Sequence, residues 1–198
     1  MGRFKFSKKP FRLFFLMVID LISILSFGTS QAALAQTSAF AQTSLEYKVK
    51  GAFLFNFAKF IDWPNETTPP ESNTFNLCVL GGNPFDDFFE DIERTKKIKK
   101  MNFKVKYLDR CCEFNGCKIL YFTPSWKGDF QKVLSGLRNR PVLTVGEAPD
   151  FTRNGGMIQF FEEGNQLRFE INVSATKQAK LDVSSQLLNL AKITEENE

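Results

Sequence analysis

Four short strand-like segments, alternating with stretches of helical periodicity, restrict the fold of this chain more than any other sequence feature. Residues 75–80, 117–123 and 141–145 are apolar runs with the length and composition of buried strands, and residues 103–108 alternate between apolar and polar side chains as a strand does. A helix is predicted after the first run, where Asn83 suits the N-cap and Pro84 the first helical position. A second helix is predicted over residues 127–137. This strand–helix–strand–strand–helix–strand order predicts a largely parallel sheet with crossover helices.

The last third of the chain has a different pattern. Residues 157–161 and 167–171 predict an antiparallel hairpin, because a short Gly-Asn turn at residues 164–165 separates them. Ser174 and one of the two serines at 184–185 are predicted to cap two closing helices. We therefore expect an α/β fold with a single domain: a largely parallel sheet with crossover helices, plus a C-terminal β-hairpin and closing helices.

The first 35 residues have the features of a cleavable secretory signal. Five Lys and Arg residues precede an apolar run from Leu13 to Phe27, and Ala33-Leu34-Ala35 is a small-x-small site of the kind that signal peptidases accept. A membrane anchor is the alternative, but the run is shorter than the ~20 apolar residues that span a bilayer and contains Asp20. We expect export with cleavage near Ala35, to the periplasm if the host is Gram-negative.

The remaining chain is expected to form one domain. Residues 36–43 are predicted to be a flexible leader, residues 44–193 the α/β domain and residues 194–198 a charged tail. Thr43-Ser44-Leu45-Glu46 fits a capping box at the start of a helix that runs to about Phe60.

The net charge of the exported part gives no indication of a nucleic-acid partner. The whole chain has 26 Lys and Arg residues and 22 Asp and Glu residues. The signal segment contains five of the basic residues and one of the acidic residues, which leaves 21 of each. A balanced domain lacks the basic excess that nucleic-acid binding requires.

The chain also lacks the residues of common catalytic sites. It contains no histidine, which removes the commonest general base and the commonest metal ligand. Ser174 and Lys177 match the S-x-x-K motif of penicillin-recognising enzymes, but the motifs S-D-N and K-T-G are missing. Gly81-Gly82 could hold an anion before a helix, but the G-x-G-x-x-G spacing is absent and a tight turn is the simpler interpretation. We expect no enzymatic activity, cofactor or metal.

The cysteines are Cys78, Cys111, Cys112 and Cys117, an even number that favours disulfides in an exported chain. Three pairings are open, although Cys78 and Cys117 lie on apolar strands that could be neighbours. A zinc site is a weaker alternative, because Cys78 has no second ligand nearby and Cys111 abuts Cys112. The absence of C-x-x-C argues against a thioredoxin-like oxidoreductase.

An ordered set of segments resembles the YfiR family of small periplasmic proteins that restrain a membrane-bound diguanylate cyclase. The segments are residues 49–60 (VKGAFLFNFAKF) with Trp63-Pro64, 77–81 (LCVLG), 117–122 (CKILYF), 141–145 (PVLTV), 155–158 (GGMI), 168–172 (RFEIN) and 183–191 (VSSQLLNLA). No single segment is specific for this family, but the whole set, in this order over about residues 46–193, is specific for it.

The resemblance implies a non-enzymatic regulator that binds and represses the periplasmic domain of an inner-membrane diguanylate cyclase, and so controls cyclic di-GMP and biofilm formation. It also implies a homodimer and a disulfide between Cys78 and Cys117. Cys111 and Cys112 would then form a second pair or stay reduced.

A partner surface is expected on the predicted hairpin. Successive residues of a strand face opposite sides, so one of the adjacent Phe160 and Phe161 points outward unless another element covers it. An exposed aromatic side chain suits a partner surface, and Phe160, Phe161 and Glu163 are the candidate partner-binding residues. The alternative function is a periplasmic small-ligand-binding protein that serves a transporter or sensor kinase. If an unidentified small ligand binds, the edge of the parallel sheet is where we expect it.

Overall fold

The computed structural model describes residues 29–64, 73–109 and 114–194, with side chains described from Thr43 onward. The chain divides into two units, Met1–Leu45 and Glu46–Glu198. The described part of the first unit is helical, and the second unit contains the sheet. Across the described ranges, no helix is both long enough and apolar enough to cross a membrane.

Helix α1 covers Thr29–Phe60 and therefore begins well before the predicted start at Thr43. Neither glycine nor proline occurs between Thr29 and Lys50, and the Ala and Gln residues abundant there are good helix formers. The structure thus has a helix over residues 36–43, where the sequence predicts a flexible leader. The helix ends at Phe60, as predicted.

The remaining elements follow in chain order. The described strands are β1 Ile61–Asp62, β2 Thr74–Leu80, β3 Lys97–Ile98, β4 Met101–Leu108, β5 Cys117–Phe122, β6 Leu143–Gly146, β7 Ile158–Glu163, β8 Gln166–Ile171, β9 Asp182–Val183 and β10 Lys192–Ile193. The other described helices are α2 Phe88–Thr95, α3 Phe130–Leu137, α4 Val173–Gln178 and α5 Ser185–Leu188.

Eight of these strands form one sheet in the order β10-β8-β7-β6-β5-β2-β4-β3. The five central strands, from β4 to β7, are mutually parallel, and β8 returns antiparallel to β7 as the predicted hairpin. A separate two-stranded pairing joins β1 to β9. The parallel strands follow the doubly wound order in which the second strand lies outside the first and the chain then crosses to the other side. The predicted α/β fold class is confirmed.

The sheet separates two hydrophobic clusters, because successive residues of a strand point to opposite faces. On one face, α1 packs against the inner side of the hairpin, with Leu54 and Phe57 among the buried residues. On the other face, α3 covers the sheet through Leu134 and Leu137. Alternate residues of β2 and β5 contribute to each cluster, which explains why these two strands are buried along almost their whole length.

The predicted start of the helix after β2 is wrong. Helix α2 begins at Phe88 rather than Pro84, because Asn83 forms a local turn by accepting a hydrogen bond from the Phe85 amide at 2.9 Å. Asp86 then has a positive φ of 50°, which interrupts a helix.

The closing helices are present, and one cap differs from the prediction. Asn172, rather than Ser174, caps α4 by accepting a hydrogen bond from the Ala175 amide at 2.9 Å. Ser184, one of the two serines predicted for this role, caps α5 by accepting a hydrogen bond from the Leu187 amide. Asn is as good an N-cap as Ser, so the sequence alone did not distinguish between Asn172 and Ser174.

Candidate functional site

The carboxyl ends of the parallel strands form the edge at which doubly wound sheets bind ligands. The strand order reverses between β2 and β5, and the loops that follow these strands are joined by hydrogen bonds. Thr123 Oγ1 donates to the Leu80 carbonyl oxygen at 3.0 Å, and Ser125 Oγ donates to the Gly81 carbonyl oxygen at 2.5 Å. Gly81 has φ +107°, which supports the interpretation of this segment as a tight turn.

A buried ionic cluster lies at the same edge. Lys50 on α1 is only 2% exposed, and its Nζ lies 2.6 Å from Oε2 of Glu147, which follows β6. Glu46, one helical turn before Lys50, forms a second ion pair with the same ammonium group. The hydroxyl of Tyr121, a fully buried residue of β5, donates to Oε1 of Glu147. The cluster therefore ties α1 to the ends of two parallel strands.

The pKa values of Lys50 and Tyr121 are both shifted upward in this cluster. Burial alone would lower the pKa of Lys50, but the hydrogen bonds to Glu147 and Glu46 outweigh it and raise the pKa. Burial, together with the negative charge of Glu147, raises the pKa of Tyr121 well above 10.0. The ammonium and the phenol therefore keep their protons at neutral pH. This chemistry suits a structural cluster rather than a general acid or base, which needs a pKa near the working pH.

No local pattern predicts this cluster, because a charged residue on a helix is usually exposed. Glu46 is predicted only as a member of a capping box at residues 43–46. The available signal was the position of Glu147, an acidic residue directly after a buried strand, where side chains line the edge of a parallel sheet.

Two cavities lie near the sheet. The smaller, about 270 Å³, opens at the carboxyl ends of β5 and β6 and is lined by aromatic residues and Glu147. The larger is a groove of about 760 Å³ beside α3 and α4, lined mainly by polar groups that include Arg138 and Arg153. The smaller cavity is at the edge where a ligand was expected.

Cys78 on β2 and Cys117 at the start of β5 form a disulfide, with their Cα atoms 5.8 Å apart. This is the pairing that the family resemblance implies. Both residues are buried in the cluster beneath α3, so the bridge joins two neighbouring core strands. Cys111 and Cys112 lie outside the described residues, and their pairing stays a prediction.

The inner face of the hairpin requires a correction. Phe160 is only 3% exposed, and its ring lies 5.8 Å from that of Phe57 on α1 and 6.0 Å from that of Phe53. It was assigned as a candidate partner-binding residue, but its ring fills the core and presents no surface to a partner. Successive side chains of a strand point to opposite faces, so on β7 Phe160 points toward α1 and Phe161 points to the outer face.

The outer face of the hairpin carries the other two candidates. Phe161 is half-buried, opposite Arg168 on β8, and Lys192 Nζ lies 5.8 Å from its ring centroid. Glu163 is exposed, and its Oε2 lies 3.4 Å from Arg168 Nε. An aromatic side chain bordered by charged groups is typical of a small protein interface. The partner-binding roles of Phe161 and Glu163 stay predictions.

The S-x-x-K motif at Ser174 and Lys177 does not form a catalytic arrangement in the structure. Ser174 and Lys177 are both exposed on α4, and within the described part of the chain no hydrogen bond joins them. Among the residues that the structure describes, no three His, Cys, Asp or Glu side chains lie close enough together to hold a metal ion.

One family comparison matches most of the chain. A family described as YfiR/HmsC-like matches residues 47–192, which span the sheet, the disulfide and the hairpin. A search of curated protein sequences gave no match. The matched family consists of periplasmic proteins that regulate diguanylate cyclases and that act as regulators rather than as catalysts. With a match over most of its length, the chain belongs to the YfiR/HmsC-like family.

Proposed function

We propose that this domain binds the periplasmic part of an inner-membrane diguanylate cyclase and holds the cyclase inactive. Loss of the protein would then raise cyclic di-GMP and promote biofilm formation. The family match over residues 47–192 is the observation that carries this proposal. The raised pKa values of Lys50 and Tyr121, which keep both groups protonated at neutral pH, agree with a role in binding rather than in chemistry.

The outer face of the β7–β8 hairpin is the proposed contact surface. Phe161 supplies apolar area at its centre, while Glu163 and Arg168 supply charges at its border. Interfaces commonly combine a central aromatic anchor with a polar rim. The opposite side of the same hairpin is anchored by Phe160 in the core, so the surface would be presented on a rigid support.

Repression of this kind requires a difference in affinity between two conformations of the partner. A protein that binds the inactive cyclase more tightly than the active one shifts the population toward the inactive state, and the shift cannot exceed that difference. A preorganised surface favours such discrimination, because little ordering free energy is lost on binding. The disulfide between Cys78 and Cys117 contributes to this order by joining two core strands.

Export and oligomeric state complete the proposal. Residues 1–35 would act as the signal and be removed near Ala35, and residues 44–193 would form the working domain, as a homodimer. A disulfide buried in the core supports an oxidising compartment, where such bonds persist.

A deletion strain tests the repressor proposal. We expect cyclic di-GMP to rise when the gene is deleted in a strain that expresses the cognate cyclase, and to return to the original level when the wild-type gene is supplied. Unchanged cyclic di-GMP in that strain would reject repression.

Complementation with variants tests the surface. Phe161→Asp and Glu163→Lys should fold and reach the periplasm but fail to lower cyclic di-GMP. Tyr107→Asp is the matched control, because Tyr107 is also an exposed aromatic residue (40% exposed) on a strand of the same sheet. It lies on β4, four strands away from β7 and so about 19 Å distant at the usual strand spacing. If both hairpin variants repress as well as Tyr107→Asp, the hairpin is not the contact surface.

A further inference from the structure

Positive charge is concentrated at one edge of the sheet, on the hairpin formed by β3 and β4. Residues 96–108, the basic hairpin, contain six lysines and no acidic residue, whereas residues 36–198 as a whole contain 21 basic and 21 acidic residues. The rest of residues 36–198 therefore has an excess of six negative charges. Strand β3 is the last strand of the eight-stranded sheet, so the basic hairpin forms its outer edge. All six lysines are exposed: Lys96, Lys97, Lys99, Lys100, Lys104 and Lys106.

Three of these lysines share one face of the sheet. Ile98 and Phe103 are buried in the cluster beneath α1, and successive residues of a strand point to opposite faces. The side chains of Lys97, Lys104 and Lys106 therefore point away from α1, and all three are exposed. This face of the basic hairpin presents three ammonium groups together to solvent.

Neighbouring carboxylates neutralise only part of this charge. Lys99 forms an ion pair with Asp62, and Lys104 Nζ lies 3.7 Å from Oε2 of Glu93 on α2. In the described part of the chain, no ion pair involves the other four lysines of the basic hairpin. Those four ammonium groups are available to a partner outside the chain.

The turn of the basic hairpin has lysines where the backbone favours other residues. Ile98 pairs with Met101, so Lys99 and Lys100 form a two-residue turn between the strands. Both have a positive φ, 48° for Lys99 and 74° for Lys100. A two-residue turn with two positive φ angles favours Asn-Gly, because side chains longer than Asn disfavour this conformation. Backbone strain of this kind is typical of functional positions, and here it places two cations at the tip of the hairpin.

We propose that the basic hairpin docks the domain on a bilayer surface that contains anionic phospholipids. Lysine clusters bind such headgroups electrostatically, and each lysine near the surface contributes roughly fivefold in affinity. Residues 96–108 contain no arginine, and lysine is depleted in protein interfaces while arginine is enriched, which favours a lipid over a protein partner. The negative excess of the remaining domain is repelled by the same headgroups, so the charge distribution orients the domain with β3 toward the bilayer.

This docking surface does not overlap the proposed contact surface for the cyclase. Strand β3 lies five strands from β7, which is about 24 Å at the usual strand spacing. A domain held on the bilayer would meet a membrane-bound partner at a raised effective concentration. The cellular setting of the docking rests on the proposed export, but the binding itself requires no cyclase.

Cosedimentation of the purified mature protein with lipid vesicles tests the docking. We expect binding to vesicles made of equal parts phosphatidylglycerol and phosphatidylcholine, and none to vesicles of phosphatidylcholine alone. Raising the salt concentration from about 0.1 M to about 1 M should release the protein, because the screening length falls from about 10 Å to about 3 Å. Equal binding to the two kinds of vesicle, or binding to neither, would overturn the proposal.

Charge-reversed variants locate the surface. Lys97→Glu/Lys100→Glu should weaken binding to the phosphatidylglycerol vesicles by at least about 25-fold. Lys177→Glu/Lys180→Glu is the matched control, because it makes the same change in charge at two exposed lysines outside the basic hairpin. The backbone is matched as well, since Lys180, like Lys100, has a positive φ, 57° against 74°. Equal loss of binding in the two variants would mean an effect of net charge alone and would reject the basic hairpin.

Two further arms complete the experiment. The neutral variant Lys96→Gln/Lys106→Gln should weaken vesicle binding by about 25-fold without introducing a negative charge that could disturb folding. Soluble polyglutamate tests an acidic protein as the partner, and polyglutamate that binds as tightly as the vesicles would assign the surface to such a protein and overturn the proposal. No cyclase is present in these assays, so their failure leaves the repressor proposal unaffected.

Discussion

At the level of single residues, Tyr121 and Lys50 make stability depend on pH in the alkaline range. Burial and the charge of Glu147 raise the pKa of Tyr121 above its ordinary value of 10.0. For Lys50, hydrogen bonds to Glu147 and Glu46 outweigh burial and raise the pKa above 10.5. A group whose pKa is raised by folding contributes stability that is fully present below its unfolded pKa and is lost as pH rises toward the folded value.

We therefore expect the free energy of unfolding to fall as pH rises above about 10. Tyr121→Phe should reduce this fall. The variant lacks the phenol group that stays protonated in the folded protein and ionises once the chain unfolds. Tyr107→Phe is the comparison: burial raises the pKa of Tyr107 to about 12, but the residue is 40% exposed, so solvent screening should make its effect on the alkaline profile smaller than that of Tyr121→Phe. Urea denaturation at a series of pH values measures the effect, and identical alkaline profiles for wild type and Tyr121→Phe would contradict it.

The disulfide is the second feature whose effect can be assigned to individual residues. Cys78 and Cys117 are 39 positions apart, and closing a loop of that length stabilises the fold by about 4 kcal/mol in the chain-entropy model. Cys78→Ser should lower the melting temperature markedly under oxidising conditions, and the double variant Cys78→Ala/Cys117→Ala should do so without leaving a free thiol at either position. Reductant should lower the wild-type melting temperature toward that of the double variant. Equal melting temperatures without reductant would contradict this prediction.

At the level of elements, the β7–β8 hairpin has one face for the core and one for the surface. Phe160→Ala should lower the free energy of unfolding by about 3–5 kcal/mol, because it empties a packed position against α1. Phe161→Ala should change it by about 1 kcal/mol or less, since this ring lies on the outer face. Chemical denaturation of the two variants compares them directly, and equal losses would contradict the assignment of the faces.

Helix α1 extends through the residues predicted to link the signal to the domain. Cleavage near Ala35 would leave the mature protein starting near Gln36, within the span of that helix. N-terminal sequencing of periplasmic material should find this start, and a retained Met1 in a membrane fraction would contradict export as proposed.

At the level of the whole molecule, the homodimer is the remaining prediction. Size-exclusion chromatography with light scattering on the mature protein should give the mass of two chains. A single species with the mass of one chain across the accessible concentration range would contradict it.

The sequence by itself determined the hairpin, the fold class and the six longer described strands, because these depend on local patterns. The two-residue strands β1, β3, β9 and β10 have no such pattern and were not predicted. A run such as residues 75–80 is apolar whichever strands flank it, and the Gly-Asn turn at 164–165 forms from its own backbone preferences. The same locality explains the correct cap at Ser184. It also explains the wrong start at Pro84, where two local signals competed and the turn of Asn83 prevailed.

Tertiary structure alone decided which residues meet. Burial depends on elements far apart in the sequence, so no local pattern shows that Lys50 is enclosed with Glu147, 97 positions away. Nor does a local pattern show which of Phe160 and Phe161 faces α1, since a shift of one residue in strand register exchanges the two. The aromatic cavity likewise exists only because the doubly wound order brings the ends of β5 and β6 side by side.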